Sequence, residues 1–290
     1  MKKLFFLTVA LMAGLMLHAN IVADETFTDF PAAWKTSGSV TTDGGIERTQ
    51  AAALTYSNEG GVYALSGKGN AVVQAYNASD KYFHTKALET PLKTDFYLSF
   101  MVRPDGEQKA SQAQVFGLSN TETSAALRIW IGKDTGGSKD KCRVGITRSS
   151  GKGADVQWGN GVISVNETHL LVVKYTISET DTIAALYIDP VIGGADPAEV
   201  WAQDGEKSAA KSTFKYFCFY STGNTKTYCT VGGVRIATTW AEAVAASSSQ
   251  TTPMTVVEEK AEENCTKAVE NGHMVIYRGG KKYNLSGIEL

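Results

Sequence analysis

Arg128 and Trp130 stand two residues apart in AALRIWIGK, Arg143 lies in KCRVGITR, and Trp158 sits in the glycine-rich run DVQWGNG. Tyr216 and Tyr220 flank Cys218 in KYFCFYS. Flat rings of this kind stack on the apolar faces of sugars, while neighbouring guanidinium and hydroxyl groups hydrogen-bond to sugar hydroxyls. Glycan binding is therefore the chemistry this set can do. The competing reading is packing, because aromatic side chains also cover half-buried strands.

Covalent chemistry finds less support. After the first 23 residues the histidines are His84, His169 and His273, and no two have metal-ligand spacing. His169 shares strand parity with Leu171 and Val173, which places it with core residues. No Gly-x-Ser-x-Gly elbow occurs. SGKG appears at 66–69 and 150–153, but Gly rather than Ser or Thr follows the lysine, so both read as turns and not as phosphate loops.

The elements that must position these residues are strands. DFYLSFMVRP alternates, with Phe96, Leu98, Phe100 and Val102 on one face and Tyr97, Ser99, Met101 and Arg103 on the other. AALRIWIGK turns Leu127, Ile129 and Ile131 inward and Arg128 and Trp130 outward. KCRVGITR turns Val144 and Ile146 inward and Arg143 and Thr147 outward; pairing of these two runs as a hairpin brings Arg143 beside the first pair. THLLVVKYTI and DTIAALYIDP are two further runs. Period-two alternation between polar turns predicts antiparallel sheets, and so many strands in one unit predict a sandwich or a barrel, here a two-sheet jelly roll. Trp34 and Trp240, near the ends of the unit, are expected to fasten the sheets. The strongest helical pattern is Val256–Glu270.

Four cysteines occur and none forms a C-x-x-C pair, which argues against zinc or thioredoxin-like chemistry. In KYFCFYSTGNTKTYCTV a turn centred on Gly223-Asn224 sets Cys218 opposite Cys229. The pair reads either as a disulfide, contributing roughly 3 kcal/mol, or as two free thiols packed as small apolar residues.

Lys2 and Lys3 precede an apolar stretch from Leu4 to Leu17, followed by small residues at Ala19 and Ala23. That is the pattern of a secretory signal peptide cleaved after residue 19 or 23. The apolar run is shorter than the ~20 residues a membrane helix needs, and no later segment is a candidate span. Loss of the two lysines leaves 26 basic against 30 acidic residues, a net charge of −4. With no block of Lys and Arg, nucleic acid is an unsuitable partner. Residues 24–246 then form the sandwich, SSSQTTP at 247–253 a linker, and 254–290 a tail. The tail closes with NGHMVIYRGGKKYNLSGIEL, a hairpin whose Gly279-Gly280 turn sets Ile276 against Tyr283 and Met274 against Leu285.

The ordered set DETFTDFPAAW, FYLSFMVRP, RIWIGK, THLLVVKYTI, ALYIDP and VGGVRIATTWAEAV resembles the concanavalin A-like, laminin-G-like jelly rolls of secreted Bacteroidota proteins. The resemblance implies a carbohydrate-binding or adhesive module; the signal peptide adds the expectation of export, to the outer cell surface or medium or alternatively to the periplasm, and the lack of a catalytic pair that of a non-catalytic role. Such modules often hold a structural calcium through loop oxygens, for which Asp134, Asp140 and Asp155 are the loop acids here. The tail is similar to the sorting tails of type IX secretion, which implies the outer-membrane secretion machinery as a partner. Glycosidases that share this fold need a Glu-x-Asp-x-x-Glu-type run. Glu179-Thr-Asp181 lacks the last glutamate and reads as an acidic turn. The motifs of jelly-roll lyases are not evident either. Asp181-Thr182-Ile183 matches the short O-glycosylation pattern of the same group. The expected function is lectin-like glycan binding. The alternatives are a structural or adhesive protein that binds other proteins, and a divergent glycosidase or lyase.

Overall fold

The computed structural model describes residues 21–38, 47–76, 82–148, 156–177, 182–206, 213–221, 227–247, 266–270, 273–278 and 281–283. The chain divides into two compact units, Met1–Ser247 and Ser248–Leu290.

In chain order the larger unit begins with β1 (Ile21–Glu25), β2 (Lys35–Gly38), β3 (Glu47–Ala52), β4 (Ser57–Asn58), β5 (Gly61–Val62) and β6 (Asn70–Tyr76). Next come β7 (Tyr82–Leu92), β8 (Phe96–Pro104), β9 (Ala113–Ser119), β10 (Leu127–Lys133) and β11 (Lys141–Thr147). The short β12 (Gln157–Trp158) and β13 (Ile163–Ser164) precede β14 (His169–Ile177), β15 (Thr182–Ile188) and β16 (Ala202–Glu206). The unit closes with β17 (Phe214–Ser221), β18 (Thr227–Ala237) and one short helix, α1 (Trp240–Ala243). Thr239 caps that helix by accepting a hydrogen bond from the Glu242 amide.

Sixteen of these strands build two eight-stranded antiparallel sheets, and β4 and β5 pair separately. The first runs β16-β15-β14-β8-β18-β6-β3, with β1 also on β18; the second runs β12-β11-β10-β9-β17-β7-β2, with β13 also on β11. Strands distant in sequence lie side by side, β14-β8-β18 in one sheet and β9-β17-β7 in the other, as in a jelly-roll sandwich. The unit is all-β, as the alternation predicts.

The predicted parity holds where it can be checked. Phe96, Leu98, Phe100 and Val102 of β8 meet Leu127, Ile129 and Ile131 of β10 and Val144 and Ile146 of β11 in the core between the sheets. Each such fully buried side chain contributes roughly 1.5–3 kcal/mol. Phe27, Phe30, Trp34, Phe116 and Phe219 thicken one part of this core, with ring centroids 5.0–6.5 Å apart. Trp34 fastens the sandwich as expected, while Trp240 belongs to a second core on the outer face of the first sheet.

β18 explains how the first sheet accommodates its N-terminal strand. Its first half pairs with β6 up to Gly232↔Ala71, and its second half pairs with β1 from Val234↔Glu25. Between the halves its pairing with β8 shifts register, and Gly233 adopts φ +52°. A Cβ there would stand 2.5 Å from the Met101 side chain, so the bulge requires glycine.

The expected Cys218–Cys229 hairpin is not formed. β17 and β18 belong to different sheets, with Cys218 opposite Thr85 and Gly117 and Cys229 opposite Gln74 and Pro104. Cys218 faces out of the second sheet and Cys229 into the inter-sheet core. Both are free, buried thiols, and burial pushes the Cys218 thiol up to about 12 and Cys229 upward as well. The intervening residues 222–226 carry the chain from one sheet to the other, and their structure lies outside the described residues.

The smaller unit contains β19 (Thr266–Glu270), β20 (His273–Arg278) and β21 (Lys281–Tyr283) in one antiparallel sheet. Ile276 pairs with Tyr283 and Arg278 with Lys281, the register expected for the closing hairpin. Gly279, Gly280 and Leu285 lie outside the described residues. Residues 266–270 are a strand rather than the end of a helix, so the hairpin becomes a three-stranded meander; the rest of the expected helix, 256–265, is outside the described residues.

Candidate functional site

The outer face of the second sheet gathers all six candidate residues. β10 and β11 pair as the predicted hairpin, which sets Arg128 opposite Thr147, Trp130 opposite Gly145, and Gly132 opposite Arg143. β12 continues the row by placing Trp158 opposite Gly145. On the other side, Gly117 of β9 lies between Arg128 and Cys218, and Tyr220 is next on the same face of β17. Tyr216 is opposite Ser119 and Ala87.

Within this face the residues form two groups. The inner group is closed. Trp130 is 4% exposed, and its indole N–H donates to the Thr147 hydroxyl at 3.0 Å. Arg128 is 5% exposed, donates twice to the Ala125 carbonyl at 3.0 and 2.8 Å, and crosses Gly117 to lie 5.5 Å from the Tyr220 ring centroid. Burial lowers the Arg128 pKa, opposed by the nearby Tyr220 and Cys218. Tyr220 stacks on Phe83 at 4.2 Å and 14°. Arg128, Trp130 and Tyr220, candidates for ligand contact by sequence, are buried here: alternation fixes the face a side chain leaves from, not whether that face is covered.

The outer group is open. Trp158 and Arg143 are half-buried together, and Tyr216, also half-buried, lies apart on β17 beside Ser119 and Ala87. Cβ atoms built at Gly132 and Gly145 would each meet the Trp158 ring at 2.9 Å, so the indole lies in room that only glycine leaves on these strands. The Arg143 guanidinium sits 4.3 Å from the Trp158 ring centroid, a cation–π distance. It is held by bonds from Arg143 Nε to the Lys133 carbonyl at 3.2 Å and, at 3.5 Å, from its terminal nitrogen to the Ser111 carbonyl. Ring and cation are therefore both pre-positioned, and neither is fully covered.

Trp201 was not singled out from the sequence, yet it supports this group from behind. Its indole fills the spaces beside Gly159 and Gly161, and its N–H donates to the Val144 carbonyl at 3.1 Å, the same oxygen that accepts from the Gly159 amide. The signal available in the sequence was the pair of alternate glycines in WGNG, which leaves a ring-sized gap on either side of Asn160.

Other expected chemistry takes other places. Asp134 accepts from the Gly136 and Ser138 amides at 3.0 and 3.1 Å, and these bonds lower its pKa; its oxygens serve its own loop. Asp155 is outside the described residues, and among those described no three His, Cys, Asp or Glu side chains group as metal ligands. Glu179 and Asp181 also fall outside them. The Thr182 hydroxyl of the Asp-Thr-apolar pattern is buried and accepts from Arg148, so it is not open to a glycosyl donor in the folded chain. His169 is buried, with Nδ1 2.6 Å from Asp189 and Nε2 3.1 Å from the Ser164 carbonyl.

No family model matches this chain, and no curated protein matches it. Among solved structures, it is similar to the CBM2 module of the Lactobacillus casei BL23 phage J-1 evolved Dit, with 9% identity and a TM-score of 0.37, covering 75% of this chain and 95% of that one. It is similar to the Emp47p carbohydrate recognition domain at 10% identity and a TM-score of 0.36, over 71% of this chain and 97% of that one. A third likeness is to the VIP36 exoplasmic/lumenal domain in its Ca2+/Man3GlcNAc-bound form, with 11% identity, a TM-score of 0.37, and coverage of 72% and 84%. Each is a distant likeness.

Proposed function

We propose that the larger unit is a non-catalytic glycan-binding module and that Trp158 and Arg143 form its contact surface. The observation that carries this reading is the half-exposed indole laid over Gly132 and Gly145 with a guanidinium 4.3 Å from its centroid. A ring that served packing alone would gain most by full burial, as Trp130 does. The exposed part of the indole offers apolar surface to a pyranose ring, and the guanidinium over it offers donors for hydroxyls or a carboxylate. The test is Trp158→Ala in a folded chain screened on a broad glycan array. Loss of a saturable, sugar-competed signal supports the reading, and a folded wild-type chain that binds no glycan removes it in favour of a structural or adhesive role.

Export is part of the same proposal, and the described N-terminal strand favours cleavage after Ala19. Cutting there leaves β1 whole. Cutting after Ala23 would strip Ile21 and Ala23 from their partners Ala237 and Ile236 and put a free ammonium on Asp24, whose carboxylate receives Arg235 at 2.7 and 2.8 Å. The mass of the exported chain decides this: a mature start at Asn20 agrees, a start at Asp24 overturns the site, and retention of Met1 overturns export. The separate tail unit is the proposed address for secretion; unchanged export of a chain lacking 248–290 would refute that role.

A further inference from the structure

We infer that the larger unit carries a second ligand site, for a neutral saccharide, in the cleft formed by the connection from β15 to β16. The cleft is an open depression of about 440 Å³, lined by Tyr187, Asp189, Val191, Glu199, Val200 and Trp201 among others. That volume is within the range of small-molecule sites. The inference shares the ligand class of the glycan-binding reading but uses none of its contact residues.

Three observations carry it. First, the cleft is pre-formed, because its loop is fastened at many points. Asn58 donates to the Pro190 carbonyl at 2.8 Å and accepts from the Ile192 amide at 3.3 Å. The Gly193 amide donates to Val244 at 2.8 Å, the Trp240 indole N–H donates to Gly194 at 3.0 Å, and the Trp201 amide donates to Leu186 at 2.8 Å. Binding there would therefore cost little ordering entropy. Second, the cleft keeps apolar surface in water. Of the four exposed large hydrophobics among the described residues, two line it, Val191 at 43% and Val200 at 36%. Third, its charged groups are acids, Asp189 and Glu199, of which Asp189 is already paired with His169. Asp189 is held at φ +50° with its oxygens on the Leu170 amide at 2.8 Å and His169 Nδ1 at 2.6 Å. Glu199 is the other acid in the lining, and no Lys or Arg lines the cleft. The nearby Lys174 is occupied by Asp196 at 2.6 Å.

Apolar patches beside carboxylate acceptors suit the alternation of C–H faces and O–H donors on a neutral pyranose. An acidic sugar would meet like charge. The cleft is thus the electrostatic opposite of the Arg143 side of Trp158.

The experiment is an NMR titration of the full exported chain labelled at the tryptophan indoles, with methyl α-mannoside, methyl β-glucoside, methyl β-galactoside and methyl β-glucuronide as probes. Trp201→Phe and Trp158→Ala spectra assign the two indole signals. The expected result is a saturable shift of the Trp201 indole with a neutral glycoside and none with the glucuronide. Val200→Arg, which fills the cleft from an exposed position, abolishes it, and Trp158→Ala leaves it intact. A Trp201 signal that ignores every neutral probe while Trp158 responds overturns the second site alone. A shift that survives Val200→Arg, or one produced only by the glucuronide, also overturns it. If neither indole responds, this site falls, and the glycan array decides the Trp158 reading separately.

Discussion

The two sheets present outer faces that began from the same alternation and ended differently. On the first sheet, Met101, Leu170, Val172 and Tyr187 are covered by Leu54, Tyr63, Leu65 and the Trp240 helix, forming a second hydrophobic core. On the second sheet, the apolar cluster is confined to Phe83, Ala125, Cys218 and Tyr220. Beside it stand two arginines over rings, Arg128 on Tyr220 and Arg143 on Trp158, with glycines on the strands beneath. One face has been given to stability. The other is closed at its centre by Arg128 and Trp130 and left open at its margin by Trp158 and Arg143. The difference teaches that a surface tryptophan is informative only when its seat is known: Trp240 closes a core, Trp130 satisfies its own N–H, and Trp158 is seated but not covered.

Substitutions sharpen the contrast in order of size. Trp240→Ala removes a ring that meets Tyr187 at 5.1 Å and Tyr97 at 6.0 Å on the closed face. It should cost roughly 3–5 kcal/mol in denaturant unfolding, while the fraction that remains folded keeps its affinity at the Trp158 surface. A loss of affinity without a loss of stability would break the division between the faces.

Acid should act from inside the sandwich. His84 is buried, accepts from Arg48 at 2.9 Å, and has its pKa lowered to about 3, by burial first and by the Arg48 charge second. The unfolded chain, with a histidine near 6.5, binds the proton more readily. The contribution of neutral His84 is therefore complete above about pH 6.5 and is lost as pH falls toward 3. His169 runs the other way. Burial opposes its charge, but the Asp189 carboxylate prevails and raises its pKa, so its contribution is complete below about 6.5 and fades as pH rises through the raised value. Unfolding free energy followed from pH 7 to 4 should decline in wild type and decline less in His84→Gln; parallel curves would contradict the assignment.

On the open face, Trp158→Ala should reduce glycan affinity at least tenfold, about 1.4 kcal/mol, with little change in the unfolding midpoint. Arg143→Ala should have the smallest effect, about 0.5–1 kcal/mol in binding, partly retained by Arg143→Lys. A large loss of stability from either would assign the pair to packing.

The sequence made one half of this contrast legible. Alternation in β8, β10 and β11 gives the inward residues correctly, and the β10–β11 hairpin that brings Arg143 toward Trp130 follows from two strands and a glycine-rich turn. Depth is not legible in the same way, because alternation along one strand does not show what covers its outward face: Arg128 lies against Tyr220, which the chain supplies only from β17, two strands across the sheet. The Cys218–Cys229 pairing failed for a related reason. A polar turn between two strands looks alike whether it closes a hairpin or lifts the chain from one sheet to the other. Only the partners of β17 and β18, drawn from residues more than 100 positions away in part, decide between them. Trp201 escaped notice because its seat, Gly159 and Gly161, is some 40 residues upstream.

The most direct test of the central claim is a glycan-array and competition measurement on the exported chain, wild type beside Trp158→Ala, with both shown to be folded by circular dichroism. The account predicts a saturable wild-type signal that free sugar competes away and that Trp158→Ala loses. A folded wild type that binds no glycan, or a hit that Trp158→Ala retains at full strength, would contradict it.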